Sequence, residues 1–268
     1  MTDAQEVIKR AFEQPQWYLT STAFNIKIRV ETILEFTRNL KPESILDIGC
    51  GDGSLSLPLL TESNHITFLD RSKSMLELVR SRIPKGCADR TAFLNLDFTD
   101  APLREESFDL VICVGLMAYI ADRRSIIRKI ASVLRPGGTL IIECSDGEHL
   151  YTRMNRVYEA LRVKLGRADF PTVSRPASEL TGLLEKCGLE QRDAFRYSLP
   201  PFALRRVLTQ SASYNLIRLL FGAAGRNSAA WAGNECLFHF KRKVGFGEAT
   251  PGISPASNSL ASAPVPQV

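Results

Sequence analysis

Residues 44–60 read SILDIGCGDGSLSLPLL: an apolar run, three glycines at every second position, then apolar residues again. Ile45 to Ile48 has the length and composition of a short buried strand. Leu55 to Leu60 reads as the apolar side of a helix over 54–62, with Pro58 near its first turn, where a missing N–H costs least. Gly49, Gly51 and Gly53 therefore fall at a strand-to-helix turn, just after Asp47. Glycine reaches positive φ without a Cβ clash and leaves the backbone bare. A bare turn at a helix N-terminus lets a ligand lie against main-chain N–H groups.

The same rhythm continues on both sides of this turn. Strands are expected at 66–70 (ITFLD), 92–96, 108–114 (FDLVICV) and 139–144 (TLIIEC), with helices at 72–82 and 122–134. Strands alternating with helical patterns imply a doubly wound α/β sheet with helices on both faces. Upstream, residues 5–40 look helical and are interrupted at Pro15; we read 1–40 as a lid segment. Downstream, 150–166 is a basic helical stretch, 177–188 a helix ending at Gly188, 189–197 a strand, and 202–221 two apolar–basic helical patterns. ECLFHFKRK, residues 235–243, reads as a last strand. The main domain is thus 41–243, with a helical insert near 200–230. From Val244 on, Gly, Pro, Ser and Ala dominate, so 244–268 is expected to be a disordered tail.

Composition narrows the class. The chain is 44% hydrophobic and 24% charged, as in globular proteins. A polar stretch from Met1 to Arg10 and the lack of a long apolar run argue against a secretory signal and a membrane span. The six cysteines are scattered without CxxC pairing, which fits reduced core thiols of a cytoplasmic protein and not a metal site. The net charge of +5 is uneven: residues 1–150 hold 18 Lys/Arg against 21 Asp/Glu, whereas 151–243 hold 16 against 7. The basic half is the one expected to meet an anionic or amphipathic partner.

A lone GxG is a weak signal, and the third glycine falls one place short of the nicotinamide pattern GxGxxG, where this chain has Ser54. The accompanying carboxylates add weight. Asp70 ends the second strand, where it can accept both hydroxyls of a ribose, and Asp97 follows the third, with Phe98 beside it to flank a ring. LDIGCGDGSL, LDRSKSML and LRPGGTL, in this order, resemble the glycine motif, the ribose-binding motif and the turn before the fifth strand of class I S-adenosylmethionine-dependent methyltransferases. The resemblance covers roughly 41–145. It implies a seven-stranded, mostly parallel sheet whose last strand runs antiparallel, with ECLFHFKRK the candidate for that strand. It further implies S-adenosylmethionine as cofactor. Gly49, Gly51 and Gly53 would approach its methionine part, Asp47 would orient the loop or the amino group, and Asp70 with Arg71 would meet the ribose. Met75, Asp97 and Phe98 would meet the adenine. Cys50 and Cys113 lie along the same edge, although as thiols they read as core fillers.

The acceptor is written less plainly. The segment after the fourth strand, CVGLMAYI, lacks the Asn/Asp-Pro-Pro-aromatic signature of base N-methylation, which makes nucleic acid an unfavoured partner. Many small-molecule members of the resembled family carry histidine where this chain has Tyr119. After the fifth strand, CSDGEHLY offers His149 as a proton acceptor, with Asp146 or Glu148 to orient it. A lid is expected from Trp17, Tyr18 and Phe24 on one wall and from the 202–226 insert on the other; the arginines of that insert suit an amphipathic acceptor or peripheral membrane contact. The expectation is methyl transfer to a small-molecule or lipid-like acceptor, with O-methylation preferred. The rivals are an RNA-modifying methyltransferase and a non-catalytic cofactor-binding partner protein.

Overall fold

The structure is a computed structural model and describes residues 23–154, 156, 175–201, 204 and 207–245. Trp17, Tyr18, Phe202, Arg205, Arg206 and the 246–268 tail lie outside the described residues.

Seven strands form one sheet: β1 (Ser44–Ile48), β2 (His65–Leu69), β3 (Thr91–Leu94), β4 (Phe108–Cys113), β5 (Leu134–Ser145), β6 (Leu189–Tyr197) and β7 (Glu235–Arg242). Their order is β3-β2-β1-β4-β5-β7-β6. Neighbours from β3 to β5 pair in parallel, while β7 runs antiparallel to both β5 and β6. The reversed strand is the one that ECLFHFKRK had marked. Among the described residues, the helices flanking the sheet include α1 (Ala23–Thr37), α2 (Lys73–Arg82), α3 (Arg123–Val133), α4 (Ala177–Lys186) and α5 (Gln210–Phe221).

Both faces are covered, so the central strands are apolar on each side and successive residues enter opposite cores. In β4, Val111 and Cys113 join Ile126, Ile127 and Ile130 of α3 and Leu180 and Leu184 of α4. Leu110 and Ile112 join Ile28 and Ile33 of α1, Leu76 and Val79 of α2, and Ile217 and Phe221 of α5. Each such burial contributes about 1.5–3 kcal/mol. Polar caps set the helix starts: Ser72 accepts from the Met75 amide, Asp122 from Ser125 and Thr209 from Ala212.

The helix expected over 54–62 does not form. Only a 3-10 turn, Leu57–Leu59, follows the glycines. Pro58 removes one donor, and Asn64 closes the turn from beyond: its Nδ2 donates to the Leu59 carbonyl at 2.8 Å and its Oδ1 accepts from the Thr61 amide at 2.9 Å. The two expected lid walls also sit differently. α1 and α5 lie side by side on one face, where Glu31 of α1 accepts from Tyr214 Oη at 2.9 Å and pairs with Arg218, and Gln210 accepts from the Phe24 amide at 3.1 Å. The second helical pattern of 202–221 is α5; the first lies mostly outside the described residues.

Candidate active site

The glycine turn leaves β1 at the carboxyl edge of the sheet. Gly49, Gly51 and Gly53 all have positive φ. At Gly51 (φ +53°) an added Cβ would meet nothing within 4 Å, so the backbone there borders open space. At Gly53 the same atom would come within 3.1 Å of Leu57 and Val79, so that glycine serves close packing. The Gly51 amide donates to Asp70 Oδ2 at 2.9 Å, and the Ser72 amide donates to Asp70 Oδ1 at 2.8 Å. Asp70 thus pins the loop from the end of β2.

Three carboxylates gather around this turn. Asp47 is 1% exposed and accepts from Ser56 Oγ at 2.5 Å. Burial pushes its carboxyl up to about 7, opposed by the Ser56 hydrogen bond and assisted by the charges of Asp70 and Asp52. Burial also raises Asp70, against the pull of the Ser72 and Gly51 amides. Asp52 is paired with Arg82. A cation placed here would be held by charge as well as by the bare backbone.

The remaining residues expected around the cofactor fall into two groups. Arg71 and Asp97 stand at the rim, 3.5 Å apart; Asp97 also closes its own turn by accepting from the amide and hydroxyl of Thr99 at 2.9 and 2.8 Å. Met75, Phe98, Cys50 and Cys113 are 1%, 4%, 4% and 0% exposed. The Cys50 and Cys113 side chains pack in the two cores on either face of the sheet. Burial raises both thiols, Cys113 to about 12, so neither is a thiolate.

His149 does not join the site. Its Nδ1 accepts from the Tyr151 amide at 3.2 Å and its carbonyl from the Arg153 amide at 3.0 Å, so it caps the helical turn that follows. Asp146 is likewise structural: Oδ1 accepts from Ala177 N at 3.2 Å and Oδ2 lies 3.4 Å from Arg196 Nη1.

The carboxyl edge instead holds a cavity of about 210 Å³ beside the glycine turn. It is lined by Asn25 and Arg29 of α1, by Gly115, Met117, Ala118 and Tyr119 after β4, by Glu143, Cys144 and Ser145 of β5, and by Glu235 of β7. Leu116 links the two places: a Cβ on Gly49 would lie 3.3 Å from its side chain, and one on Gly115 3.6 Å from Arg29 Nη1. The arrangement follows from periodicity. Asn25 and Arg29 are one helical turn apart on the sheet-facing side of α1. Glu143 alternates with Ile141, and Glu235 with Leu237, so both carboxylates point to the α1 face. Arg29 and Glu143 form a forked pair, Nε to Oε1 at 2.8 Å and Nη2 to Oε2 at 2.6 Å. Tyr197 Oη donates to Asn25 Oδ1 at 2.6 Å and lies 3.4 Å from Glu143. Glu235 accepts from Ser145 Oγ at 2.8 Å and from Asn234 Nδ2 at 2.9 Å.

Sequence reading assigned none of these to the site; Tyr119 stood out only as a departure from the histidine of the resembled family. A usable signal was present: Glu143 interrupts the buried run TLIIEC on its inward phase, and a charge inside a doubly covered strand marks either a partner or a function. Among the described residues, no group of His, Cys, Asp and Glu is arranged to hold a metal ion, and no helix is long and apolar enough to cross a membrane.

A sheet of this order with its seventh strand reversed, entered by a glycine turn pinned from the second strand, is the arrangement of class I S-adenosylmethionine-dependent methyltransferases. The sequence agrees with this arrangement: the family model described as a methyltransferase domain matches residues 45–138. Ubiquinone biosynthesis O-methyltransferase of Coxiella burnetii is 26% identical over 184 residues, 66% of this chain and 76% of the relative. The protein of that name from Cronobacter sakazakii is 24% identical over 221 residues, 80% of this chain and 90% of the relative. Among solved structures, an S-adenosylmethionine-dependent methyltransferase from Thermotoga maritima superposes with TM-score 0.63 at 18% identity, covering 90% of this chain and all of that one. Magnesium protoporphyrin IX methyltransferase from Synechocystis, with S-adenosylhomocysteine bound, gives 0.61 at 14% identity over the same shares. These two structures speak for the fold alone.

Proposed function

We propose that this enzyme transfers the methyl group of S-adenosylmethionine to a hydroxyl of a small, ring-bearing acceptor seated in the cavity between α1 and the ends of β4, β5 and β7. The observation that carries the reading is the cavity itself. It adjoins the glycine turn, it is lined by polar groups that converge from four elements, and it is small. About 150 Å³ suffices for a benzene ring, so the cavity admits one substituted ring and leaves any longer tail outside. The O-methyltransferase names of the sequence relatives support a hydroxyl as the acceptor atom.

The cofactor fits the residues present. The open backbone at Gly51 and the acidic surroundings of Asp47, Asp52 and Asp70 suit a ligand carrying a sulfonium and an ammonium. In this reading Gly49 and Gly51 border the methionine part, Asp70 and Arg71 the ribose, and Asp97 the adenine amino group, with Met75 and Phe98 packed beneath. The cofactor brings an already activated methyl group. The protein's work is to align a nucleophile with it and to exclude water. Leu116 and Met117 dry the boundary between the two places, and α1 covers the acceptor side. We assign 1–40 to this lid, 41–243 to the catalytic domain and 244–268 to a tail outside it.

For the insert we propose contact with an amphipathic acceptor or the surface that carries it. Val207, Leu219 and Trp231 are 81%, 81% and 85% exposed, and the same stretch of sequence carries Arg205, Arg206 and Arg226. The deciding experiment supplies isotopically methyl-labelled cofactor to a cell extract with the purified protein and follows the label by mass spectrometry. Label in an O-methylated ring compound supports the proposal. Label in RNA, or none anywhere despite cofactor binding, refutes it.

A further inference from the structure

Glu235 is the first residue of the one strand that runs against the others. Because β7 is antiparallel to β5, its beginning lies beside the end of β5, with Ser145 opposite Glu235. A carboxylate on that residue therefore reaches the edge where the parallel strands end and ligands enter. It lines the cavity together with Tyr119 and Gly115.

Every contact of Glu235 holds it in place without neutralising it. One oxygen accepts from Ser145 Oγ and the other from Asn234 Nδ2, both neutral donors. The nearby cation, Arg29 of α1, is committed by its fork to Glu143. The charged and titratable groups facing Glu235 are thus Glu143 on β5, Arg29 on α1 and Tyr197 on β6, with the buried thiol of Cys144 next in β5. The result is one carboxylate paired and one that, among the described residues, forms no ion pair, both on the wall of the cavity.

We propose that Glu235 is the catalytic base that takes the proton from the acceptor hydroxyl, and that Arg29 and Glu143 are positioning residues that keep Glu235 free of a cationic partner. This deepens the hydroxyl-acceptor reading and rests on it. The step balances: the hydroxyl proton passes to Glu235, an oxygen lone pair forms the new O–CH3 bond, and the electrons of the C–S bond stay on the donor's sulfur, which becomes a neutral thioether. Desolvation and the Glu143 charge push the Glu235 carboxyl up to about 7, which suits a base working near neutral pH.

The test uses the full chain, catechol and 4-nitrocatechol as probes, and Glu235→Gln, which keeps the shape and can keep both hydrogen bonds. In an Asp47→Asn background, which removes the other carboxyl raised to about 7, an infrared band of a protonated carboxyl should disappear as pH rises through about 7, and adding Glu235→Gln should remove that band. Methyl transfer to catechol should fall about 100-fold or more in Glu235→Gln, the usual range for a lost general base. Transfer to 4-nitrocatechol, whose hydroxyl ionises near neutral pH unaided, should fall no more than about threefold, because no base is needed. Cofactor affinity should not change. Equal losses on both probes, no loss on either, or a band titrating near 7 that survives in the Asp47→Asn, Glu235→Gln double variant overturns the assignment. If wild type binds the cofactor but methylates neither probe, the hydroxyl-acceptor reading itself fails and takes this proposal with it.

Discussion

The amide of Gly51 donates to Asp70 Oδ2 at 2.9 Å, so the conformation of the glycine turn is fixed by the residue that follows β2. The same carboxylate holds the Ser72 amide. Asp70→Ala should therefore loosen the turn and the start of α2 together. The expected cost is about 1–3 kcal/mol of stability for the orphaned amides, with cofactor affinity weakened at least tenfold. Asp70→Asn, which keeps one acceptor oxygen, should recover much of the stability and little of the affinity. Chemical denaturation and calorimetry on both variants separate the two effects.

Gly51→Val should behave differently. Space around the missing Cβ is open, so the fold survives, at a cost of roughly 1–2 kcal/mol for a β-branched residue at φ +53°. Cofactor binding should be lost, because the new side chain stands where the ligand must lie. Normal binding by Gly51→Val in a calorimetric titration would remove the turn from the site.

Asp47 gives cofactor binding a pH dependence with a defined sign. Its carboxyl is raised from 3.8 to about 7, so the folded protein holds this proton more tightly than the unfolded chain. Its contribution to stability is full below about pH 4 and is lost as pH rises through 7. A cationic ligand favours the ionised form. Affinity for S-adenosylmethionine should therefore rise with pH, by up to tenfold per unit, and level off above about 7. Proton release on binding, read by calorimetry in buffers of different ionisation enthalpy, is the direct check. Asp47→Asn should flatten the profile and stabilise the free protein above pH 7.

The Arg29–Glu143 fork joins α1 to the sheet almost out of solvent, the two side chains being 11% and 3% exposed. Removing one partner leaves a buried charge, so Arg29→Met should cost about 3–5 kcal/mol. The double variant Arg29→Met, Glu143→Gln should regain most of that loss. A double-mutant cycle in urea without such coupling would show that α1 is held by its apolar face alone.

If the insert meets an anionic amphipathic surface, Arg205→Glu with Arg206→Glu should reduce sedimentation with phosphatidylserine vesicles and raise the Michaelis constant for a tailed acceptor, leaving cofactor affinity unchanged. Each arginine near such a surface is worth about 1 kcal/mol. Unchanged sedimentation and kinetics would reduce the basic insert to a solvated surface.

Much of this architecture is legible in the sequence, because a doubly covered sheet writes its strands as short apolar runs. Residues 44–48, 108–113 and 189–197 fall at or within a residue of their expected limits. The segment 54–62 misled because an apolar run containing proline is ambiguous on its own, and the residue that ends it, Asn64, acts from outside the run. The glycine turn and Asp70 were readable because they are close in sequence. Glu143, Glu235 and Arg29 were not: they are far apart in the chain, and their meeting depends on a strand reversal and a helix phase. His149 attracted the catalytic assignment by standing in a suitable loop, yet its free ring nitrogen serves a backbone amide.

The reversal of β7 has one more effect. β6 ends at Tyr197 and β7 begins at Glu235, and both residues stand on the carboxyl edge beside the cavity. The connection 198–234, which contains α5, therefore leaves and rejoins the sheet at that one edge. Its exposed parts can change in length and chemistry without shifting a strand register, as long as Ile217 and Phe221 keep their place in the core and Asn227 keeps its bonds to Arg196. Swapping it for the corresponding stretch of a relative should transfer acceptor preference while leaving the sheet and the methyl-donor half untouched.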